Sequence, residues 1–247
     1  MTVDASRVTA LSRYRVAARE RLIVALDFPS LAEAAEMVGR LAPVVSWFKV
    51  GSELFTAAGP DAVAMVRAYG GKVFLDLKYH DIPNTVHRAV AAAGRLGVVM
   101  LNVHIAGGEA VLRAAIEASQ SLSGPRPLVL GVTVLTSDET DVGAVVKSAR
   151  LARACGLHGV IASAREAAAI KKACGEEFIV VTPGIRPSGW PGDDQRRTTT
   201  PAAAIREGSD YLVVGRPITA ETDPRFAAET VLADIESAPR ADSWRAR

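Results

Sequence analysis

The chain has 247 residues, 49% of them hydrophobic and 23% charged, with a formal net charge of +2. That is enough apolar material for a sizeable core, and it excludes a highly charged disordered chain. No run approaches the roughly 20 apolar residues of a membrane-crossing helix, the N-terminus has no apolar signal core, and no Lys/Arg stripe with interleaved aromatics points to nucleic acid. The composition therefore predicts a cytoplasmic protein with neither a membrane nor a nucleic-acid partner. Its two cysteines, Cys155 and Cys174, form no CxxC and have no nearby His pair. They predict buried free thiols and no metal site.

In chain order, a mixed, Arg-rich segment (1–20) comes first and is expected to lay a helix over one end of the domain. Short apolar runs then alternate with longer Ala-rich amphipathic segments. Leu22–Asp27 is followed by the helical pattern of Leu31–Leu41. Val45–Val50 and Lys72–Lys78 lead to Val86–Leu96, and Val98–His104 leads to Ala110–Ser119. Leu128–Val134 precedes Val142–Ala154, and Gly159–Ala162 precedes Arg165–Ala173. Phe178–Thr182 and Tyr211–Val214 complete eight runs, and a polar tail (240–247) closes the chain. Regular strand–helix alternation implies βαβ units and a parallel sheet. Eight units in this length fit a single-domain (β/α)8 TIM barrel over 21–239, since such barrels run to about 250 residues. The alternative is an open doubly wound sheet, but no GxGxxG follows the first strand.

In a (β/α)8 barrel the active face lies at the strand C-termini. There the runs carry Asp27, Lys49, Asp76, Lys78, Asn102 and His104. Charges at the ends of buried strands are expensive unless paired. Strand side chains alternate faces, so Asp76 and Lys78 point together into the barrel while Leu75 and Leu77 point outward to the helices. Asp81 follows in the loop, and Pro83 opens the next helix. Lys78 is thereby expected between two carboxylates, which favour its ammonium form. An ammonium in a dry pocket suits stabilising and then protonating a carbanion, whereas a Schiff base needs a neutral amine. A buried ion-pair network that only holds the barrel shut fits the same spacing, and both readings stay open here.

Two Gly-Arg loops follow the seventh and eighth runs, Thr182–Pro187 with Gly184 and Arg186, and Val213–Ile218 with Gly215 and Arg216. Loops in these positions commonly hold phosphate, with glycine admitting backbone N–H groups and arginine supplying a fork of donors. Ordinary surface arginines beside loop glycines are the plainer reading. Ser188–Thr200, containing Gln195, is expected to be a flap over the ligand. His87 and His158 are read as surface or loop histidines, His104 as a supporting or core group, and Trp47 and Phe48 as packing. Arg196 and Arg197 are read as a solvated face of the flap.

The run Asp76-Leu77-Lys78-Tyr79-His80-Asp81-Ile82-Pro83-Asn84-Thr85 resembles the D-x-K-x-x-D-[IV]-x-x-T signature of the orotidine 5′-phosphate decarboxylase family. The similarity continues through Asp27, Lys49, Thr133–Ser137, both Gly-Arg loops and Gln195. It implies a cofactor-free decarboxylation of orotidine 5′-phosphate to UMP, with Lys78 protonating ring carbon 6. It implies Asp76 and Asp81 beside the departing carboxylate, alternating with Lys49 and Lys78. Asp27 and Lys49 are implied at the ribose hydroxyls, Thr136 at the ring edge, and Arg186, Gln195, Gly215 and Arg216 at the phosphate. A homodimer is implied, with Asp81, Ile82 and Thr85 reaching into the partner's site. Sugar-phosphate decarboxylases and hexulose-phosphate synthases share D-x-K-x-x-D but use magnesium and tend to carry Glu where this chain has Lys49. A non-catalytic phosphate-binding barrel is a third possibility, and it has no use for the Asp76–Lys78–Asp81 cluster.

Overall fold

A computed structural model describes residues 17–133, 141–188, 190 and 198–238. Its sheet is a closed barrel in which each strand pairs with the next in sequence, and β8 returns to pair in parallel with β1. The strands are β1 Leu22–Ala25, β2 Trp47–Gly51, β3 Lys72–Tyr79, β4 Met100–His104, β5 Leu128–Val132, β6 Gly159–Ile161, β7 Ile179–Thr182 and β8 Tyr211–Val214. The protein is the (β/α)8 barrel that the alternation predicts.

Strands covered on both faces must be apolar on both faces. Along β1, Leu22 and Val24 belong to the layer between sheet and helices, whereas Ile23 and Ala25 face inward. The barrel interior is filled by Ile23, Ala25, Trp47, Phe74, Met100, Leu130, Val181 and Val213, the packed layers that make such a barrel a core and not a pore. Helices cover the outside. Ser30 accepts from the Glu33 N–H at the start of Leu31–Leu41, and Ser163 forms a capping box with Glu166 at the start of Ala164–Cys174. Both are strong helix-start devices. Pro83 opens the helix Pro83–Arg95, as expected.

The structure adds elements to the sequence reading. Two helices, Ser52–Ala58 and Pro60–Ala68, separate β2 from β3, broken at Gly59 with its φ of +57°. Short helices Pro201–Arg206 and Arg216–Thr219 flank β8, and Pro224–Ser237 closes the barrel. β1 ends at Ala25, so Asp27 stands just beyond the strand. Of the expected N-terminal helix only 17–20 are described, and Ala18–Glu20 form a single 3-10 turn. Cys155 and Cys174 are buried and free. No helix among the described residues is long and apolar enough to cross a membrane.

Candidate active site at the C-terminal mouth

The register explains how charges from three strands meet. Ala25, Lys49 and Phe74 are level with one another, and Gly51 is level with Asp76. Lys49 therefore starts one layer below Asp76, and its four-carbon stem carries the ammonium up to it. Gly51 leaves the space, because a Cβ there would lie 2.7 Å from Lys49 Nζ and 3.0 Å from Asp27 Oδ1.

The result is an alternating row. Asp27 Oδ1 lies 2.9 Å from Lys49 Nζ, Lys49 Nζ 3.6 Å from Asp76 Oδ2, and Asp76 Oδ1 2.7 Å from Lys78 Nζ. Exposure rises toward the two ends: the Lys49 and Asp76 side chains are 11% and 12% exposed, and those of Lys78 and Asp27 are 37% and 55%. Burial alone would raise the Asp76 carboxyl. The cations of Lys49 and Lys78, joined by hydrogen bonds from Lys78 and Asn102, outweigh burial and hold it below its ordinary value. Asp76 is thus a fixed anion in a largely dry place, with a lysine ammonium on either side.

The row forms one wall of a cavity of about 260 Å³. Asp27, Lys49, Asp76 and Lys78 line it together with Ala25, Phe74, Ile161 and Val213. The other end is formed by Pro183, Gly184, Arg186, Gly215 and Arg216. Gly184 has a φ of +75°, a conformation that suits glycine. The Arg186 N–H donates to the Thr199 carbonyl at 2.9 Å, tying the β7 loop to the chain that returns to β8. Both Gly-Arg loops therefore open on the space that holds the lysine–aspartate row. An anionic group between the arginines and a second anion near Lys49 and Lys78 would each meet fixed positive charge.

Other sequence expectations fare differently. Among the described residues Lys78 pairs with Asp76 alone. Asp81 is exposed, its Oδ1 accepts from the Ile82 N–H at 2.6 Å, and it does not line the cavity. The two-carboxylate flank of Lys78 is thus not assembled within one chain. Ile82 and Thr85 are exposed beside it, Ile82 at 66%. Asp76 and Lys78 share the site as expected, but not by simple alternation: the β3–β4 register shifts between Leu75 and Tyr79, and Lys78 has a φ of +49°. Leu75 and Leu77 do pack in the outer layer. His104 is half-buried and stacks on His80 with ring centroids 5.1 Å apart. Burial, then His80 and Lys78, pushes its imidazole below the usual value. Thr136, Gln195, Arg196 and Arg197 lie outside the described residues. Sequence reasoning places Asn102 at the active face as a polar strand end but gives it no role, and it does not single out Gly51. A signal for Asn102 exists, a polar side chain two places after Met100 on the inward face of an apolar strand.

Fold and site together define a (β/α)8-barrel protein with an ionic site at its C-terminal mouth. The model of the orotidine 5′-phosphate decarboxylase / HUMPS family matches residues 20–231, and the chain belongs to that family. It is 53% identical over 238 residues to the orotidine 5′-phosphate decarboxylase of Moorella thermoacetica, spanning 90% of this chain and 94% of that protein. It is 50% identical over 232 residues to the corresponding protein of Nitratidesulfovibrio vulgaris, spanning 89% of this chain and 99% of that one. The crystal structure of orotidine 5′-phosphate decarboxylase from Lactobacillus acidophilus superposes with a TM-score of 0.78 at 35% identity, over 88% of this chain and 99% of that one.

Proposed function

We propose that this protein decarboxylates orotidine 5′-phosphate to UMP and CO₂ without a cofactor. The observation that carries the reading is the joining of the Asp27–Lys49–Asp76–Lys78 row and the two Gly-Arg loops in one cavity. A substrate with an acidic pyrimidine at one end and a phosphate at the other matches that layout, and the named relatives support it.

In this reading Arg186, Gly215 and Arg216 hold the phosphate, with Gln195 from the segment between the loops. Asp27 and Lys49 hold the ribose hydroxyls, and Thr136 reads the ring edge. The substrate carboxylate sits by Asp76. The bond from ring carbon 6 to the carboxylate carbon breaks, CO₂ leaves, and the electron pair stays on carbon 6. The ammonium of Lys78 stabilises that charge and delivers its proton to it, and water then reprotonates the lysine. Chemistry without an electron sink depends on charges fixed before the reaction, and a row of paired lysines and aspartates meets that need. Grip on the remote phosphate contributes to the barrier at carbon 6 when loop closure is coupled to it.

The exposed Asp81-Ile82 turn and Thr85 are proposed to complete the site of a second copy in a homodimer. All three stand exposed in the loop and first helical turn that follow β3, the strand that carries Asp76 and Lys78, which supports this. The magnesium-dependent branch of the family fits less well. Lys49 Nζ stands between Asp27 and Asp76, and a cation shared by those carboxylates opposes a divalent ion at the same place.

The test is ultraviolet loss of orotidine 5′-phosphate on the folded protein, with and without EDTA. Equal turnover in both supports the reading. A folded protein with no turnover overturns it and points to a metal-dependent sugar-phosphate reaction, whereas turnover abolished by EDTA overturns the cofactor-free chemistry.

A further inference from the structure

β4 brings to this site a buried amide that carries no charge. Asn102 is 1% exposed and makes two hydrogen bonds of opposite sense. Its Nδ2 donates to Asp76 Oδ1 at 2.7 Å, and its Oδ1 accepts from the backbone N–H of Lys78 at 2.8 Å. These partners fix the amide's orientation. Turned over, it would set its NH₂ against an N–H and its oxygen against a carboxylate.

The backbone explains why an amide is needed. β3 and β4 are in register at Phe74–Met100 and Leu75–Leu101, and next at Tyr79–Val103. Four steps along β3 thus face two along β4. The extra residues form a bulge, in which Lys78 takes a φ of +49°, a left-handed conformation that costs a non-glycine residue free energy. A bulge interrupts the ladder and leaves backbone groups without strand partners. A buried N–H left so would be expensive, and Asn102 Oδ1 takes the N–H of Lys78. Its Nδ2 meanwhile ties down the carboxylate oxygen that Lys78 Nζ contacts at 2.7 Å. One side chain therefore holds both ends of the Asp76–Lys78 pair, the strained backbone of one member and the carboxylate of the other.

We propose that Asn102 is a positioning residue for the proton-donating lysine. It fixes the bulge that aims Lys78 and the carboxylate against which Lys78 rests. It does not line the cavity, so it acts through those two residues and not on the substrate. The inference rests on the decarboxylase reading above.

Two substitutions separate its parts. Asn102→Ala removes both hydrogen bonds. Asn102→Asp has the same shape and keeps the acceptor for the Lys78 N–H, but sets a second carboxylate against Asp76. The experiment measures kcat and KM for orotidine 5′-phosphate and the Kd for UMP. It uses wild type, Lys78→Ala and both Asn102 variants, with the folded fraction taken from circular dichroism. Asn102→Ala is expected to lower kcat on the order of 10- to 100-fold through misplacement of the lysine. KM and the UMP Kd should stay within about threefold, since the lost interaction acts on the chemical step. Asn102→Asp should lose at least as much, despite its matching shape. If Asn102→Ala does not fold, Asn102→Ser takes its place. Variants that melt earlier but keep kcat per folded molecule within about threefold would show a purely structural amide and overturn the proposal, as would a loss confined to KM. A wild type without turnover would remove the decarboxylase reading, a fully active Lys78→Ala would remove its proton donor, and either would take this inference with it. Wild-type turnover lost in Lys78→Ala keeps that reading standing, so the Asn102 variants then test the proposal alone.

Discussion

Both ends of the barrel carry buried or half-buried charges, and the two ends use them differently. At the N-terminal end the buried cation, Lys171, is matched and its donors are taken up. Lys171 Nζ donates to Asp210 at 2.6 Å and to the carbonyls of Glu176 and Phe178 at 2.8 and 3.0 Å. Asp210 Oδ2 also accepts from the Val180 N–H at 2.8 Å. Glu20 similarly joins Lys72, at 2.6 Å, and the Trp47 indole, at 3.3 Å, so that the 3-10 turn closes the bottom of the barrel. At the C-terminal end the pairs are linked into a row, and that row faces a cavity. Charge at a strand end is therefore not what marks a site. The buried bottom pair, Lys171–Asp210, is saturated by backbone groups, whereas the top row has charges turned toward space that a ligand can fill.

Substitutions at the two ends should separate rate from stability. Arg216→Ala, at the top, is expected to lower kcat/KM on the order of 100-fold, the value of a lost charge-assisted contact, with an unchanged circular dichroism spectrum. Near-normal kcat/KM would remove Arg216 from the phosphate end. Asp210→Ala, at the bottom, leaves the 7%-exposed Lys171 without its carboxylate. Because Asp210 is one-third exposed, the expected loss is about 2 kcal/mol, below the range for fully buried pairs, read from urea denaturation. Its kcat should not change; a large fall in kcat without loss of stability would dissolve the distinction between the ends. Gly51→Ala tests the fit within the row. The added Cβ meets the far end of a flexible lysine, so the fold should survive while Lys49 is displaced, with kcat/KM falling about 10-fold. An unchanged kcat/KM would mean that Lys49 has freedom the geometry denies it.

Much of this is legible in the sequence because parallel strands buried on both faces appear as continuous apolar runs. Charges that interrupt such runs at one end stand out, which is why the sequence alone places Asp27, Lys49, Asp76 and Lys78 at one mouth. What the sequence hides depends on relations between strands. The bulge at Leu75–Tyr79 is a register difference between β3 and β4, so the alternation rule places Lys78 correctly while missing the left-handed backbone that puts it there. Asn102 looks like one more polar strand end, since its two partners lie 24 and 26 residues earlier in the chain. Asp81 looks like a second neighbour of Lys78 by spacing, yet the turn leaves it exposed and off the cavity wall. The break into two helices after β2 turns on Gly59, whose positive φ is not visible in the local apolar pattern.

The central claim is that Lys78 is the proton donor at carbon 6, and it is tested most directly by following orotidine 5′-phosphate consumption in wild type and Lys78→Ala at matched folded concentrations. Lys78 is over one-third exposed, so its removal should leave the fold intact. The account predicts turnover in the wild type and a loss of at least about 10³-fold in the variant, within the range of a lost general acid. A folded Lys78→Ala protein that consumes substrate at close to the wild-type rate would contradict it.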